Sequence, residues 1–145
     1  AELRRNHIGF VFQDFHLLPN LTALENVLLP AVFSGTITNL LIDRVREMLA
    51  VLQVRTDSTP SVLLSRGERQ RVAVARGLVN NPDVLFADEP TGNLDEASED
   101  VLFDLLDRLR AERGFALAAV VHSKRVLERA DRILHLEDGV LHEIR

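Results

Sequence analysis

The chain has 145 residues, 46% of them hydrophobic and 27% charged, a composition too apolar for disorder. Its net charge of −5 argues against a broad nucleic-acid-binding face, and the absence of cysteine excludes disulfides, thiol nucleophiles and cysteine-based metal sites. No apolar run approaches the ~20 residues that cross a bilayer, and no signal-peptide core follows the polar start, so an intracellular protein is expected.

A buried strand is predicted over 8–12, followed by a loop over 13–20. Thr22 caps a short helix from about 23, with Glu25 at the third position completing a capping box and Leu24, Val27 and Leu28 inward. After a break over 35–39, residues 40–52 carry Leu41, Val45, Met48, Leu49 and Leu52 at helical spacing. A polar loop over 55–60 leads to Ser65 and a helix over 68–80, where Ala73 and Ala75 permit close packing; Asn81-Pro82 stops it. The run 84–87 is an apolar strand feeding Asp88-Glu89 and a turn-rich loop over 90–95.

A long helix over 96–113 turns Val101, Leu102, Leu105, Leu106 and Leu109 inward, and Gly114 ends it. The strand 116–121 runs into His122-Ser123, followed by a short helix at 126–130 and strands at 133–136 and from 140. Asp138-Gly139 between the last two is a hairpin signal. Apolar strands alternating with helices predict an α/β fold with a mostly parallel sheet covered on both faces. Ligands bind such sheets beyond the carboxyl ends of the strands, where Asp88-Glu89 and His122-Ser123 both fall.

Asp88 at a rigid strand end suits direct or water-mediated Mg²⁺ binding, and Glu89 can orient a water for attack on a phosphoryl group. The plain alternative is two solvated acids. His122 can hydrogen-bond a terminal phosphate or the attacking water, although a lone histidine is more often structural. Gln13 can offer an amide oxygen to Mg²⁺ and its shell. Ser65 and Gly67 at a helix start form an anion site of free N–H groups and a hydroxyl, against the common case of an ordinary serine cap.

In order, these segments resemble the ATP-binding-cassette (ABC) ATPases. Phe12-Gln13 resembles their Q-loop, Leu64-Ser65-Arg66-Gly67-Glu68 the signature motif, and residues 84–89 the Walker B strand. Gly92-Asn-Leu-Asp95 is similar to the D-loop, His122 to the switch histidine, and residues 131–139 to the strand and turn beyond it. Ile8-Gly-Phe-Val-Phe-Gln13, residues 17–27 and Asp88-Glu-Pro-Thr-Gly-Asn-Leu-Asp95 look most like the lipoprotein-release, macrolide-export and cell-division branch.

The resemblance implies a P-loop NTPase fold, with 1–18 and 81–145 in the catalytic α/β core and about 19–80 forming a helical and signature subdomain. It implies ATP and Mg²⁺ as cofactors, with Gln13 and Asp88 toward the metal and Glu89 and His122 catalytic. Ser65, Gly67, Glu68 and Asp95, with Gln13, would bind nucleotide. The implied partners are a second ATPase subunit, head to tail, and transmembrane permease subunits, with no nucleic acid. The implied place is the cytoplasmic face of the inner membrane.

Two departures stand out. The chain holds sixteen arginines and a single lysine, Lys124, preceded by Ser123, so these residues contain no G-x-x-x-x-G-K-[ST] phosphate loop. The chain thus reads as a cassette without its N-terminal third, expected to be inactive alone. Arg66 replaces a glycine of the family signature, adding charge and bulk beside the phosphate position. A non-catalytic module that docks on membrane subunits or an intact ATPase is the alternative. A relative acting on DNA or ribosomes is a third reading, disfavoured by the acidic balance.

Overall fold

The computed structural model describes residues 7–54 and 58–145. The first residues of the predicted 55–60 loop lie outside them.

Three strands form a parallel sheet in the order β1 (Ile8–Val11), β2 (Val84–Asp88), β3 (Ala116–Val120). The register sets Phe10 beside Phe86 and Ala118, and Val11 beside Ala87 and Ala119. β4 (Leu134–Glu137) and β5 (Val140–Glu143) make a separate antiparallel hairpin. Asp138 and Gly139 turn it with φ of 48° and 79°, the left-handed pair such a two-residue turn requires.

Helix α1 (Ala23–Ser34) starts with the predicted box: Thr22 Oγ1 accepts from the Glu25 N–H, and Glu25 Oε2 accepts from the Thr22 N–H. Buried Asn26 fastens the preceding loop to α1. It accepts from the Leu18 N–H and donates to the Leu18, Leu21 and Thr22 carbonyls. Helix α2 (Asn39–Val51) buries Val45, Met48 and Leu49 as its spacing predicts.

A 3-10 turn (Ser61–Leu63) precedes helix α3 (Arg66–Leu78), which begins two residues earlier than expected because Ser65 and Glu68 form a second capping box. Helix α3 contributes Val72, Ala73, Val74, Ala75 and Leu78 to a core shared with α1, α2, β1 and β2. Helix α4 (Glu96–Arg113) buries Leu102, Phe103, Leu105, Leu106 and Leu109. The short helix α5 (Lys124–Arg129) follows β3.

Two expectations need correcting. Val101 is exposed and Glu99 is buried: Glu99 shares the helical phase of Leu102, Leu106 and Leu109, so the inward stripe of α4 begins with a carboxylate. The sheet, moreover, is covered on one face only among the described residues. Val11, Leu85 and Ala87 are buried on that face, while Phe86 is 42% and Val120 57% exposed on the other. There Phe10 stacks on Phe86 at 5.8 Å and on Phe12 at 6.2 Å between ring centres, an aromatic strip across the sheet.

Candidate functional site

The carboxyl ends of β1, β2 and β3 carry Gln13, Asp88-Glu89 and His122. An apolar strand that stops abruptly at polar residues brings each of these groups to the same edge of the core.

Glu89 leaves β2 in the left-handed region, with φ 43°, a conformation that costs a side-chain-bearing residue energy and persists only where its surroundings impose it. Here the Glu89 N–H donates to the Val120 carbonyl at 3.0 Å, and the Glu89 carbonyl accepts from the Gly92 N–H at 3.1 Å. The turn throws the carboxylate toward His122, whose Nε2 lies 3.0 Å from Glu89 Oε1. A cleft of about 140 Å³ opens beside this pair, lined by Thr91, Gly92, Glu99 and Ser123. Glu89 and His122, the two residues that the resemblance implies are catalytic, both line this cleft.

Gly92 explains how Gln13 joins them. A β-carbon there would stand 2.7 Å from Gln13 Nε2 and 3.2 Å from Glu89 Oε2, so amide and carboxylate both reach the space that glycine leaves. Asn93 adds a tether, donating from Nδ2 to the Gln13 carbonyl at 3.3 Å. Asp88 is exposed at the last position of β2. Its carboxylate has no described bond in common with the Glu89–His122 pair.

The loop that carries Gln13 is bound to α3. Phe15 and His16 both take left-handed backbones, and the Arg76 guanidinium donates to their two carbonyls at 2.6 Å each. Burial pulls Arg76 below the usual arginine value, leaving it a cation that two carbonyl dipoles help to compensate. Arg69 lies over the Phe15 ring at 5.5 Å. Nothing in the sequence pattern marks Arg76 among so many arginines.

Ser65, Gly67 and Glu68 sit together at the N-terminus of α3. Glu68 is buried, its carboxylate accepting from the Ser65 N–H at 2.9 Å, while Ser65 Oγ accepts from the Glu68 N–H at 3.2 Å. The Ser65 hydroxyl thereby stands at the positive end of the helix dipole. These residues are not in the Glu89 cleft. Their link to it runs through Arg66, whose guanidinium reaches the Asn93 carbonyl at 3.5 Å.

Asp95 caps α4, accepting from the Ser98 N–H at 2.8 Å. That backbone bond is the main cause that holds its carboxyl below the usual range. Asp95 is exposed; its carbonyl accepts from the Glu99 N–H at 2.9 Å, while its carboxylate is spent on the cap rather than turned into the cleft. Ser123 falls in the strand-end cluster His122-Ser123 and Asn93 in the segment that resembles the D-loop, but the sequence gives neither a role of its own; Glu99 is the residue that sequence reasoning misses, and its signal is its helical phase on α4.

Comparison with protein families matches residues 1–92 to the family described as ABC transporter. The lipoprotein-releasing system ATP-binding protein LolD of Novosphingobium aromaticivorans is 50% identical over 142 residues, covering 96% of this chain and 62% of LolD. LolD of Ruegeria sp. is 46% identical over 145 residues, 99% of this chain and 63% of that protein. The macrolide export ATP-binding/permease protein MacB of Rhodopirellula baltica is 44% identical over 147 residues, 99% of this chain and 21% of MacB. A dimeric post-hydrolysis state of the ATP-binding cassette MJ0796, bound to ADP and Pi, superposes with a TM-score of 0.82 at 38% identity. That match covers 99% of this chain and 66% of the other. The chain spans somewhat over three fifths of the length of its LolD relatives.

Proposed function

The chain belongs to the ABC transporter family, and on that premise we propose that it supplies the water-activating half of an ATP-hydrolysing site. The observation that carries this reading is the 3.0 Å contact between His122 and Glu89 at the carboxyl end of the parallel sheet. The Glu89 carboxylate accepts from the attacking water and orients it toward the γ-phosphoryl group. His122 donates to the terminal phosphate oxygens and, through its contact with Glu89, fixes where that carboxylate points.

Asp88 and the Gln13 amide offer two hard oxygens at neighbouring strand ends. No group of three or more carboxylates and imidazoles forms a metal cage among the described residues. That donor set fits Mg²⁺, which takes one or two protein oxygens and completes its shell with water and phosphate. Bound there, Mg²⁺ supplies charge neutralisation on the phosphates.

We assign Ser65 and Gly67 to the γ-phosphate held by a second subunit, with Glu68 fixing Ser65 through the capping box and Asp95 packing across the pair. The phosphate loop that completes each site is not among these 145 residues. Residues 19–80 form the helical subdomain in this reading and dock on permease subunits at the cytoplasmic face of the membrane. No described helix is long and apolar enough to cross a membrane. Substrate export or lipoprotein release is the coupled work.

The chain is joined to a segment bearing a G-x-x-x-x-G-K-[ST] loop and its Mg-ATP hydrolysis is measured. Activity that appears in the joined protein and disappears with Glu89→Gln supports the proposal; persistent inactivity of the joined protein refutes it. Val32, Phe33 and Leu40 favour a second reading, since all three expose more than half of their surface on α1 and α2. A docking module using them binds its partner equally with and without ATP, which co-purification distinguishes.

A further inference from the structure

Ser123 occupies the N-cap position of α5, yet its hydroxyl makes no capping bond to that helix. It donates instead to Glu99 Oε1 on α4, at 2.7 Å. A serine at a helix start ordinarily satisfies one of the helix's own free N–H groups, so its diversion to another element is a departure from local chemistry. The acceptor is a buried carboxylate at the head of the apolar stripe of α4.

His122 lies immediately before Ser123, and 80% of its side-chain surface is exposed. Packing does not hold so open an imidazole. Its backbone, however, is held on both sides. Upstream, the Val120 carbonyl accepts from the Glu89 N–H. Downstream, α5 is fastened along α4: Val126 is buried, Arg125 pairs with Glu96 and Asp100, and Arg129 bonds Asp104 and Asp107 at 2.7 and 2.8 Å.

We propose that Ser123 is a positioning residue, which sets the reach of His122 to Glu89 by anchoring the histidine loop to Glu99. The proposal rests on the hydrolytic reading above for its consequence in turnover, but its structural content stands without it. Three short links then run from α4 to the reacting water: Glu99 to Ser123, Ser123 to His122 along the chain, and His122 to Glu89. Loss of the first link leaves the other residues in place and frees the ring to rotate.

The test has two arms. In the first, side-chain NMR of the 145-residue chain follows the His122 ring, identified by its disappearance in His122→Gln. Three-bond couplings are expected to report one rotamer in the unchanged chain and in Ser123→Thr, and rotamer averaging in Ser123→Ala. Ser123→Asp sets a second carboxylate against Glu99 and averages the ring, whereas Ser123→Asp with Glu99→Gln restores a single rotamer through an amide donor. An unchanged rotamer in Ser123→Ala overturns the proposal. Should Ser123→Ala fail to fold, the Ser123→Asp single and double variants decide by whether the second change restores the ring.

The second arm uses the chain joined to a phosphate loop. Ser123→Ala is expected to lower kcat about tenfold with KM for ATP within about twofold, compared at a temperature where both proteins stay folded, since the change also strips the buried Glu99 carboxylate of its donor. A rise in KM at constant kcat overturns the positioning role. Inactivity of every joined protein, with the rotamer results as expected, refutes the hydrolytic reading and leaves the anchoring of His122 intact.

Discussion

Gly9 on β1 and Gly77 on α3 meet so closely that a β-carbon on Gly9 would stand 2.2 Å from the Gly77 carbonyl oxygen. The reciprocal β-carbon on Gly77 would lie 3.1 Å from the Phe10 carbonyl and 2.9 Å from Leu85 Cδ1. Helix and sheet therefore touch backbone to backbone. The contact fixes the height of α3 over the strand that delivers Gln13. Gly9→Ala is expected to destabilise the fold by about 3 kcal/mol, since backbone rather than a mobile side chain must yield. Gly77→Ala gains helix propensity of about 1 kcal/mol and loses more to the Phe10 carbonyl, for a net cost of about 1 kcal/mol. Urea unfolding checks both, and equal stability of the Gly9 variant and the original chain refutes the close contact.

Gly92 makes a different kind of demand. The atoms that crowd its missing β-carbon are side-chain ends of Gln13 and Glu89, which can swing aside. Gly92→Ala is thus expected to keep stability within about 1 kcal/mol while displacing both groups, lowering kcat of the joined protein roughly tenfold to a hundredfold. Turnover equal to that of the unchanged protein would show that the two groups do not act from where they now lie.

Gln70 is fully buried on α3, and neither amide atom finds a hydrogen-bond partner among the described residues. An unsatisfied buried polar group costs about 1–3 kcal/mol, whereas an apolar group of similar shape does not. Gln70→Met is expected to raise stability by about 1 kcal/mol. A loss of about 1 kcal/mol or more in chemical denaturation would show that the Gln70 amide is hydrogen-bonded in solution.

Acid should act on two helix starts. Backbone bonds from Thr22 and Ser98 are the main causes that hold Glu25 and Asp95 below their usual values. A carboxylate with a depressed native pKa stabilises the fold above its unfolded value, and that contribution is lost as pH falls through the native one. The melting temperature is therefore expected to drop below about pH 4. The double variant Glu25→Gln, Asp95→Asn should lose less between about pH 6 and about pH 3 than the original chain. Parallel curves for the two proteins would remove these caps as a source of acid sensitivity.

Elements governed by local chemistry were legible in the sequence. The Thr22–Glu25 capping box, the Asp138-Gly139 turn, the inward stripe of α2 and the strand ends bearing Glu89 and His122 each follow from residues within one turn or one strand, whereas the Ser65–Glu68 box, equally local, starts α3 two residues before the expected point. What escaped depends on pairs distant in the chain. Arg76 and the Phe15 and His16 carbonyls are about sixty residues apart, and Ser123 and Glu99 are 24 apart. Val101 reads as inward on hydrophobicity alone, yet its helical phase turns it to the surface. Glu99 took the buried register because a hydroxyl from elsewhere satisfies it. The expected second cover of the sheet failed similarly: apolar strands declare a demand for burial without naming what meets it.

The aromatic strip of Phe10, Phe12 and Phe86, with β1 and β3 as unpaired edges among the described strands, bears on how this chain behaves in bulk. Open edges and exposed rings are templates for further strands and rings, so two copies of the polypeptide that meet there can cover one another. Association that hides this face stabilises the folded form by mass action. Its unfolding midpoint then becomes a property of the sample, rising with protein concentration, and a single figure quoted for it has meaning only beside the dilution at which it was taken.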